Sequence, residues 1–159
     1  MELKDSGSRR EFASGAVRDI DTNKGRCDLL PLGVVAELLD DKVFSYIDTY
    51  IHTGDRMLVV AALKEFATAR YGDLKTAVLE VSKHYSDGCK KYGERNWEKG
   101  INLHCYVDSG VRHYLKYLRG DTDEPHDRAF VWNMLGALWT HEQYPDLCDL
   151  PFCKEVHHD

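Results

Sequence analysis

The chain has 159 residues, a length that normally forms one domain of about 150 residues with a sizeable core. Hydrophobic residues make up 43% and charged residues 30%, which excludes a wholly disordered protein. The formal net charge of -6 gives no general attraction to duplex nucleic acid, so duplex binding is not expected. No apolar run reaches the roughly 18 residues of a membrane span, and residues 1–10 lack a signal-peptide core, so we expect a cytoplasmic protein without a membrane partner.

The five cysteines are odd in number and irregularly spaced, and we interpret them as reduced thiols. A zinc clip formed by Cys148, Cys153, His157 and His158 is an alternative, which the terminal position of the histidines disfavours.

Residues 1–30 show neither helical nor strand periodicity and are interrupted by glycines, so an extended N-terminal arm is predicted. Termini are often disordered, and a disordered leader is one interpretation of this arm. The other is an arm that docks on the domain through Cys27, Leu29 and Leu30.

Three helices are predicted in the first half of the chain. Helical signals run from residue 31 to 54, with Asp40 and Asp41 as a potential break. The next two helices span 55–72 and 73–93, because aspartate favours helix N-termini and glycine favours C-termini.

The second half continues this pattern. Residues 93–104 have no sustained period and are predicted to form a loop, followed by helices at 106–119 and 126–142. We therefore predict an all-α, single-domain bundle of about five helices. Its parts are an extended arm (1–30), the helical bundle (31–142) and a C-terminal tail (143–159).

Carboxylates and imidazoles on three of these helices are candidate metal ligands. Glu80 and His84 are one turn apart, Asp108 and His113 share the next helix, and His126 begins the last. Helical bundles hold metal ions with such side chains, and carboxylate oxygens favour magnesium or manganese. The alternative is a solvated, salt-bridged surface.

Asn133 interrupts the most apolar helix, where an unpaired buried amide costs about 1–3 kcal/mol. His126 precedes it by two helical turns, so both side chains could face one polar pocket. Alternatively, Asn133 satisfies a backbone carbonyl and His126 caps its own helix. The pair His126-Asp127 also matches the dyad of histidine-aspartate phosphohydrolases, but that chemistry needs a further upstream histidine and a downstream aspartate.

The loop at residues 90–100 combines cations with Tyr92 and Trp97. Cations can contact phosphates and an aromatic ring can stack on a base, so the loop suits a phosphate-bearing aromatic ligand. The alternative is a loop held in place by a buried Trp97.

Several motifs occur together in one order along the chain. They are Gly15-Ala16-Val17-Arg18-Asp19, Lys24-Gly25-Arg26-Cys27-Asp28-Leu29-Leu30-Pro31, Lys90-Lys91-Tyr92-Gly93, Asn96-Trp97-Glu98-Lys99-Gly100, Ser109 with Arg112-His113, Gly120-Asp121, Asp123-Glu124, His126 and Trp132-Asn133. This set resembles the phage and bacterial family called the dATP/dGTP diphosphohydrolase N-terminal domain. The resemblance implies a largely helical fold, a link to deoxynucleotide hydrolysis and kinship with the MazG-like all-α pyrophosphohydrolases. It leaves residues 32–79 as an apparent insertion.

The leading hypothesis is a metal-dependent nucleotide pyrophosphohydrolase that acts on purine deoxynucleoside triphosphates with magnesium or manganese. The predicted catalytic residues are Asp108, His113 and His126, and the predicted metal ligands are Glu80, His84, Asp108, His113 and His126. The predicted substrate-binding residues are Lys24, Arg26, Lys91, Asn96, Trp97, Arg112 and Asn133, with Tyr92 as a second candidate for stacking on the base.

The competing hypothesis is a non-catalytic nucleotide-binding or protein-interaction module. MazG-like proteins pair a Glu-x-x-Glu with a later Glu-x-x-Asp, and no Glu-x-x-Glu occurs in this chain. A further catalytic domain is also not expected within this length. Homo-oligomerisation is left open.

Overall fold

The computed structural model describes residues 9–20 and 23–154. Within these ranges the helices are α1 (Leu32–Leu39), α2 (Lys42–Thr53), α3 (Arg56–Tyr71), α4 (Leu74–Tyr92), α5 (Leu103–Arg119), α6 (His126–Gln143) and α7 (Pro151–Lys154). A hairpin of β1 (Arg9–Glu11) and β2 (Val17–Asp19) precedes them, and its strands pair antiparallel. The fold is broadly all-α as predicted, but the described residues form seven helices rather than about five.

Two local features account for the additional helices. Asp40 adopts a left-handed φ of 50° that ends α1, and the Asp41 carboxylate accepts the Val43 N–H at 2.8 Å, which caps α2. The first predicted helix is therefore two. The other addition, α7, begins at Pro151 in the predicted tail, where a fixed φ favours the first helical position.

The starts of α3 and α4 follow the predicted capping chemistry. The carboxylates of Asp55 and Asp73 accept first-turn N–H groups at 3.0 and 2.7 Å. Gly72 and Gly93 end the two helices with φ of 91° and 86°, a conformation that favours glycine. These caps fix the boundaries of α4, which carries one wall of the site described below.

The long helices α5 and α6 pack against each other, and α6 also contacts α3 and α4. Gly136 of α6 permits the close approach, because a Cβ there would lie 2.7 Å from Cδ1 of Tyr106 on α5. An aromatic cluster joins the same helices to α3, with the ring of Phe66 4.8 Å from Phe130 and 5.8 Å from Tyr114. No helix in the described ranges is long and apolar enough to cross a membrane.

The N-terminal arm packs on the bundle. The hairpin contradicts the prediction that this segment lacks strands; each strand has only three residues, too few for periodicity to be visible. Ala16 is fully buried, and the hydroxyl of Ser14 donates to the carbonyl of Gly100. A short 3-10 turn at Cys27–Leu29 packs against α5.

The C-terminal segment is also folded onto the domain. The ring of Phe152 lies 5.5 Å from Tyr50 of α2 and 5.3 Å from His141 of α6. Cys148 and Cys153 form a disulfide, so the prediction of reduced thiols is wrong for this pair. Cys27, Cys89 and Cys105 are free, and the histidines of the alternative zinc clip, 157 and 158, lie outside the described residues.

Candidate active site

A cavity of about 310 Å³ lies between the arm and the helical bundle. Its walls come from the hairpin, α4, α5, α6 and the segments that join them. The lining residues are Arg10, Val17, Arg18, Asp19, Lys24, His84, Gly88, Lys91, Tyr92, Asn96, Ser109, Arg112, His113, Lys116, Asp123, Glu124, Ala129, Trp132 and Asn133. The arm therefore supplies one side of the cavity and the bundle the other.

Cations outnumber carboxylates in this lining. The cationic side chains are Arg10, Arg18, Lys24, Lys91, Arg112 and Lys116, and the carboxylates are Asp19, Asp123 and Glu124. The chain as a whole has a net charge of -6, so the cavity reverses the sign of the protein locally. A concave surface of this kind concentrates anionic ligands.

Arg18 lies along the inner wall of the cavity. Its Nη2 donates to Oδ1 of Asn133 at 3.1 Å, and its guanidinium carbon lies 5.3 Å from the ring centre of Trp132. The amide of Asn133 also donates to the carbonyl of Ala129 at 2.8 Å. Asn133 therefore both satisfies a backbone carbonyl of its own helix and accepts from a side chain that lines the polar cavity. Burial lowers the pKa of Arg18, and its Nη1 is buried without a hydrogen-bond partner in the described part of the chain. A ligand oxygen at this point would supply the missing acceptor.

The carboxylate of Asp19, the last residue of β2, accepts hydrogen bonds from three side chains. Its Oδ1 accepts from Arg9 Nη1 at 3.0 Å and from the Tyr92 hydroxyl at 3.1 Å, and its Oδ2 accepts from Lys91 Nζ at 3.2 Å. Burial raises the pKa of Tyr92, so its hydroxyl stays protonated and acts as the donor. Lys91, which was predicted to bind phosphate, thus lines the cavity but is already paired with the carboxylate of Asp19.

Asn96 attaches the hairpin to the loop that follows α4. Its Oδ1 accepts the Val17 N–H and its Nδ2 donates to the Val17 carbonyl, both at 2.8 Å. Since both ends of the amide are engaged, Asn96 positions β2 in this arrangement and has little capacity left to bind a base.

Asp108 anchors the arm from α5 and does not line the cavity. Asp108 is 3% exposed, and its carboxylate accepts the Cys27 N–H at 2.7 Å and pairs with Arg112. Nη2 of Arg112 also donates to the Gly25 carbonyl at 2.9 Å. Arg112 does line the cavity, and its Nε is buried with no partner among the residues described. Asp108 is therefore in position to orient Arg112.

Two histidines meet where α5 passes the start of α6. Nδ1 of His113 lies 2.8 Å from Nδ1 of His126, whose Nε2 lies 2.8 Å from Oδ1 of Asp123. Ligand atoms of His113, Glu124 and His126 all lie within 4.8 Å of one another. Burial, followed by the neighbouring His126, lowers the pKa of His113 well below its ordinary value. His113 and His126, which were predicted to share one site, therefore lie together, and the carboxylates beside them are Asp123 and Glu124 rather than the predicted Asp108.

The dyad His126-Asp127 does not form a joint site. Asp127 accepts from Nε of Arg70 at 3.1 Å, whereas the ring of His126 faces His113. The two neighbours in sequence thus have different partners.

His84 is a buried imidazole in the cavity wall. It is 7% exposed, and its ring centre lies 6.0 Å from that of Trp132. Burial, together with the positive charge of Arg128, lowers the pKa of His84 to about 3, so the ring is neutral. Its Nδ1 is buried and has no hydrogen-bond partner within the described ranges. This atom can accept from or donate to a ligand, depending on the tautomer.

Two predicted site residues have partners elsewhere. Glu80 binds Nζ of Lys83 at 3.0 Å and does not line the cavity. Arg26 makes two hydrogen bonds to the carboxylate of Asp28, at 2.8 and 2.7 Å, and is also absent from the lining.

Trp97 is half-buried and packs against other aromatic rings beside the cavity. Its ring contacts Trp139 at 4.8 Å and Tyr85 at 6.0 Å, which matches the alternative of a loop held by its tryptophan. The tryptophan that lines the cavity is Trp132.

Sequence reasoning assigned no role to several lining residues, although some carried a detectable signal. Lys116 is one helical turn after Arg112, so both project from the same face of α5. Trp132 directly precedes Asn133, and Glu124 lies two residues before His126. Arg18 belongs to the first of the motifs that carry the family resemblance, but its place in the cavity depends on a hairpin that periodicity did not predict.

Together, the fold and the cavity define an all-α protein with a cationic cavity between its N-terminal arm and its helical bundle. The family model for dATP/dGTP diphosphohydrolase, N-terminal, matches residues 57–149, more than half of the chain, and the chain belongs to this family. The match begins inside the segment 32–79 that the sequence presented as an insertion, and it does not include the arm. No curated protein and no solved structure matches the chain significantly.

Proposed function

We propose that the chain binds a purine deoxynucleoside triphosphate in the cavity and hydrolyses it to the monophosphate and pyrophosphate. The observation that carries this proposal is the convergence of cationic side chains, an aromatic wall and an imidazole–carboxylate cluster around one cavity. Membership of the dATP/dGTP diphosphohydrolase N-terminal family supports the same substrate class.

The phosphates would lie near Lys24, Arg112 and Lys116. A triphosphate carries several negative charges, and charge-assisted hydrogen bonds to Lys and Arg are its usual means of recognition. Burial lowers the pKa of Lys24, and a bound anion would restore the stability of its charged form. Asp108 pairs with Arg112, so the guanidinium group of Arg112 is already oriented before a ligand binds.

The base would lie against the wall formed by Arg18, His84 and Trp132. A guanidinium plane or an aromatic ring can stack on a purine, and the unpartnered nitrogens of Arg18 and His84 can bind its polar edge. Asn133 would act mainly by holding Arg18.

The reaction would take place beside His113, His126 and Glu124. A water oxygen attacks the α-phosphorus and its proton passes to the solvent; the bond from this phosphorus to the oxygen that bridges the α- and β-phosphorus atoms breaks, and pyrophosphate leaves with that oxygen. One divalent cation, magnesium or manganese, would lower the pKa of that water and neutralise the leaving group. The positive side chains of Lys24 and Lys116 would stabilise the charge that develops on the pyrophosphate.

The decisive experiment is an assay of the purified chain with dATP, dGTP, dCTP, dTTP and the ribonucleotides, with magnesium or manganese. Chromatography of the products should show a monophosphate and pyrophosphate from a purine deoxynucleotide. Lys116→Ala should reduce this activity at least tenfold, whereas Lys75→Ala, an exposed change at the start of α4, should not. Absence of pyrophosphate and phosphate release from every nucleotide would refute the proposed hydrolysis.

A nucleotide-binding module without turnover is the second candidate. The observation that favours it is the engagement of Asp19 and Asp108 in pairs with cations, which leaves few carboxylates for metal chemistry. Such a protein would be stabilised by nucleotide by RT ln(1 + [L]/Kd) in a thermal-shift experiment while the nucleotide stays intact.

The place of action and the oligomeric state also belong to the proposal. We place the activity in the cytoplasm, where deoxynucleotides are made and used. Homo-oligomerisation stays a prediction, and light scattering on the purified chain measures it.

A further inference from the structure

We propose that His113, His126 and Glu124 hold one first-row transition-metal ion, Mn²⁺ or a heavier neighbour, in preference to Mg²⁺. The inference deepens the proposed function, since the ion would lie at the edge of the same cavity. It assigns the ligands and the chemical class of the metal, neither of which the family match specifies.

The two imidazoles already have the spacing of neighbouring ligands. Their Nδ1 atoms are 2.8 Å apart. Two nitrogens that each lie about 2.1 Å from one ion, at a right angle, are about 3.0 Å apart. Without an ion, Nδ1 of His113 donates the proton of this contact to Nδ1 of His126. An ion could enter between them with a small ring movement and a shift of that proton from Nδ1 to Nε2 of His113, and Glu124 offers an oxygen within 4.8 Å of both.

Asp123 fixes which nitrogen of His126 is available. Its Oδ1 lies 2.8 Å from Nε2 of His126. An ionised carboxylate only accepts hydrogen bonds, so Nε2 carries the proton and Nδ1 of the neutral ring keeps its lone pair. Histidines that bind metals commonly donate their second N–H to a carboxylate in this way, which makes Asp123 a positioning residue for the ligand.

The donor set determines the class of metal. Mg²⁺ prefers oxygen ligands and retains several waters, whereas two imidazoles with one carboxylate suit Mn²⁺, Fe²⁺, Co²⁺ or Zn²⁺. The turn between α5 and α6 contributes further negative charge, because carboxylate oxygens of Asp121 and Asp123 also lie within 4.8 Å of a ligand nitrogen of His126. This charge offsets the repulsion of the ion by Lys24 and Lys116 on the cavity wall.

The test measures binding of the metal alone, in the absence of nucleotide. Electron paramagnetic resonance follows free Mn²⁺ and visible absorption follows Co²⁺, while Mg²⁺ is added as a competitor. We expect one ion per chain, and a more than tenfold weaker affinity in His126→Ala and Glu124→Gln. Asp123→Asn should weaken binding by about 10- to 100-fold, the usual effect of a residue that orients a ligand. His52→Ala on α2 and Glu37→Gln on α1, both exposed, are the matched controls.

Several results would overturn the assignment. These are unchanged Mn²⁺ affinity in His126→Ala, equal affinity of the wild-type chain for Mg²⁺ and Mn²⁺, or no bound ion at all. Circular dichroism checks the fold of each variant; if His126→Ala unfolds, Glu124→Gln decides, because Glu124 lies at the cavity and contributes little to the core. Metal binding without nucleotide hydrolysis would refute the proposed function alone, and hydrolysis that survives in Glu124→Gln and His126→Ala would refute the metal site alone.

Discussion

The substitution Asn133→Leu tests whether the polar interior of α6 belongs to the site. Asn133 is 2% exposed, donates to the Ala129 carbonyl and accepts from Nη2 of Arg18 at 3.1 Å. Leucine has a comparable size but neither donates nor accepts, so the change removes the hydrogen-bond acceptor of Arg18 while the buried guanidinium itself remains in the chain.

The magnitude follows from what happens to Arg18. Its Nη1 is already buried without a partner in the described part of the structure, so loss of Asn133 leaves a second nitrogen of the same guanidinium unsatisfied. A hydrogen bond to a charged group contributes about 1.5–3 kcal/mol, and the apolar gain of leucine offsets part of its loss. We expect a net destabilisation of about 2 kcal/mol, or about 4–8 °C in Tm for a chain of this size. Nucleotide affinity should fall at least tenfold, because Arg18 is no longer held against Trp132.

Urea denaturation and a double-mutant cycle with Arg18→Met measure this coupling. Arg18→Met removes the guanidinium that donates to Asn133. Asn133→Leu should therefore lower the free energy of unfolding much less in that background, with a coupling energy of about 1 kcal/mol or more. A single mutant at least as stable as the wild type, or a coupling energy near zero, would show that Asn133 is merely a tolerated core amide and would refute the reasoning.

Two further predictions concern packing and pH. Gly136→Ala should destabilise the protein by about 1–3 kcal/mol despite the better helix propensity of alanine, because the new Cβ would collide with the ring of Tyr106. Gly88→Ala is the control: a Cβ there would have no atom within 4 Å, so alanine should stabilise the protein by about 0.5–1 kcal/mol. Urea unfolding measures both changes. The hydrogen bond to Asp149 raises the pKa of His104 to about 10, so its stabilising effect is complete below about pH 6.5 and is lost as the pH rises towards 10. Asp149→Asn should remove about 1 kcal/mol of this pH-dependent stability, and parallel slopes for the two proteins above pH 6.5 would contradict the assignment.

The long helices were predictable where local sequence chemistry determines their ends and their buried faces. Asp73 and Gly93 bound α4 as the sequence indicated, and the apolar surface of α6 matches its contacts with three other helices. The N-terminus of α5 was placed three residues late, at 106 instead of Leu103. The side chain of the N-cap residue Asn102 makes no hydrogen bond to the first turn of α5. The carboxylate of Asp149 accepts the His104 N–H at 2.8 Å instead, a contact between residues 45 positions apart that the local sequence does not reveal.

The hairpin could not be predicted in the same way. Its strands are short, and the contacts that hold it come from distant positions, such as the amide of Asn96, 79 residues from Val17. Such a contact leaves no trace in local periodicity. This limit extends to the site, because Arg18 and Asp19, which line the cavity, are residues of β2.

The candidate site shows the limit of spacing arguments within helices. His113 and His126 were placed together because each faces inward from its own helix, and they are 2.8 Å apart at Nδ1. The same argument chose Asp108, whose carboxylate instead binds the arm and Arg112. Spacing identifies the inward face of a helix, but competition between partners decides which inward carboxylate remains available to a ligand.

The cavity is formed by two parts of the chain, the N-terminal arm and the helical bundle, and the family match includes residues of the bundle but none of the arm. The match covers residues 57–149, which include the histidine pair and Trp132, whereas Arg18 and Lys24 lie outside it. Asn96 and Asp108 both lie within the matched segment, yet each has a backbone N–H of the arm as a hydrogen-bond partner. These two polar side chains, which the sequence presented as ligand-binding groups, therefore serve to bring the arm's cations to the cavity. The shape and charge of the cavity thus depend on how the bundle holds the N-terminal arm as much as on the residues of the bundle itself.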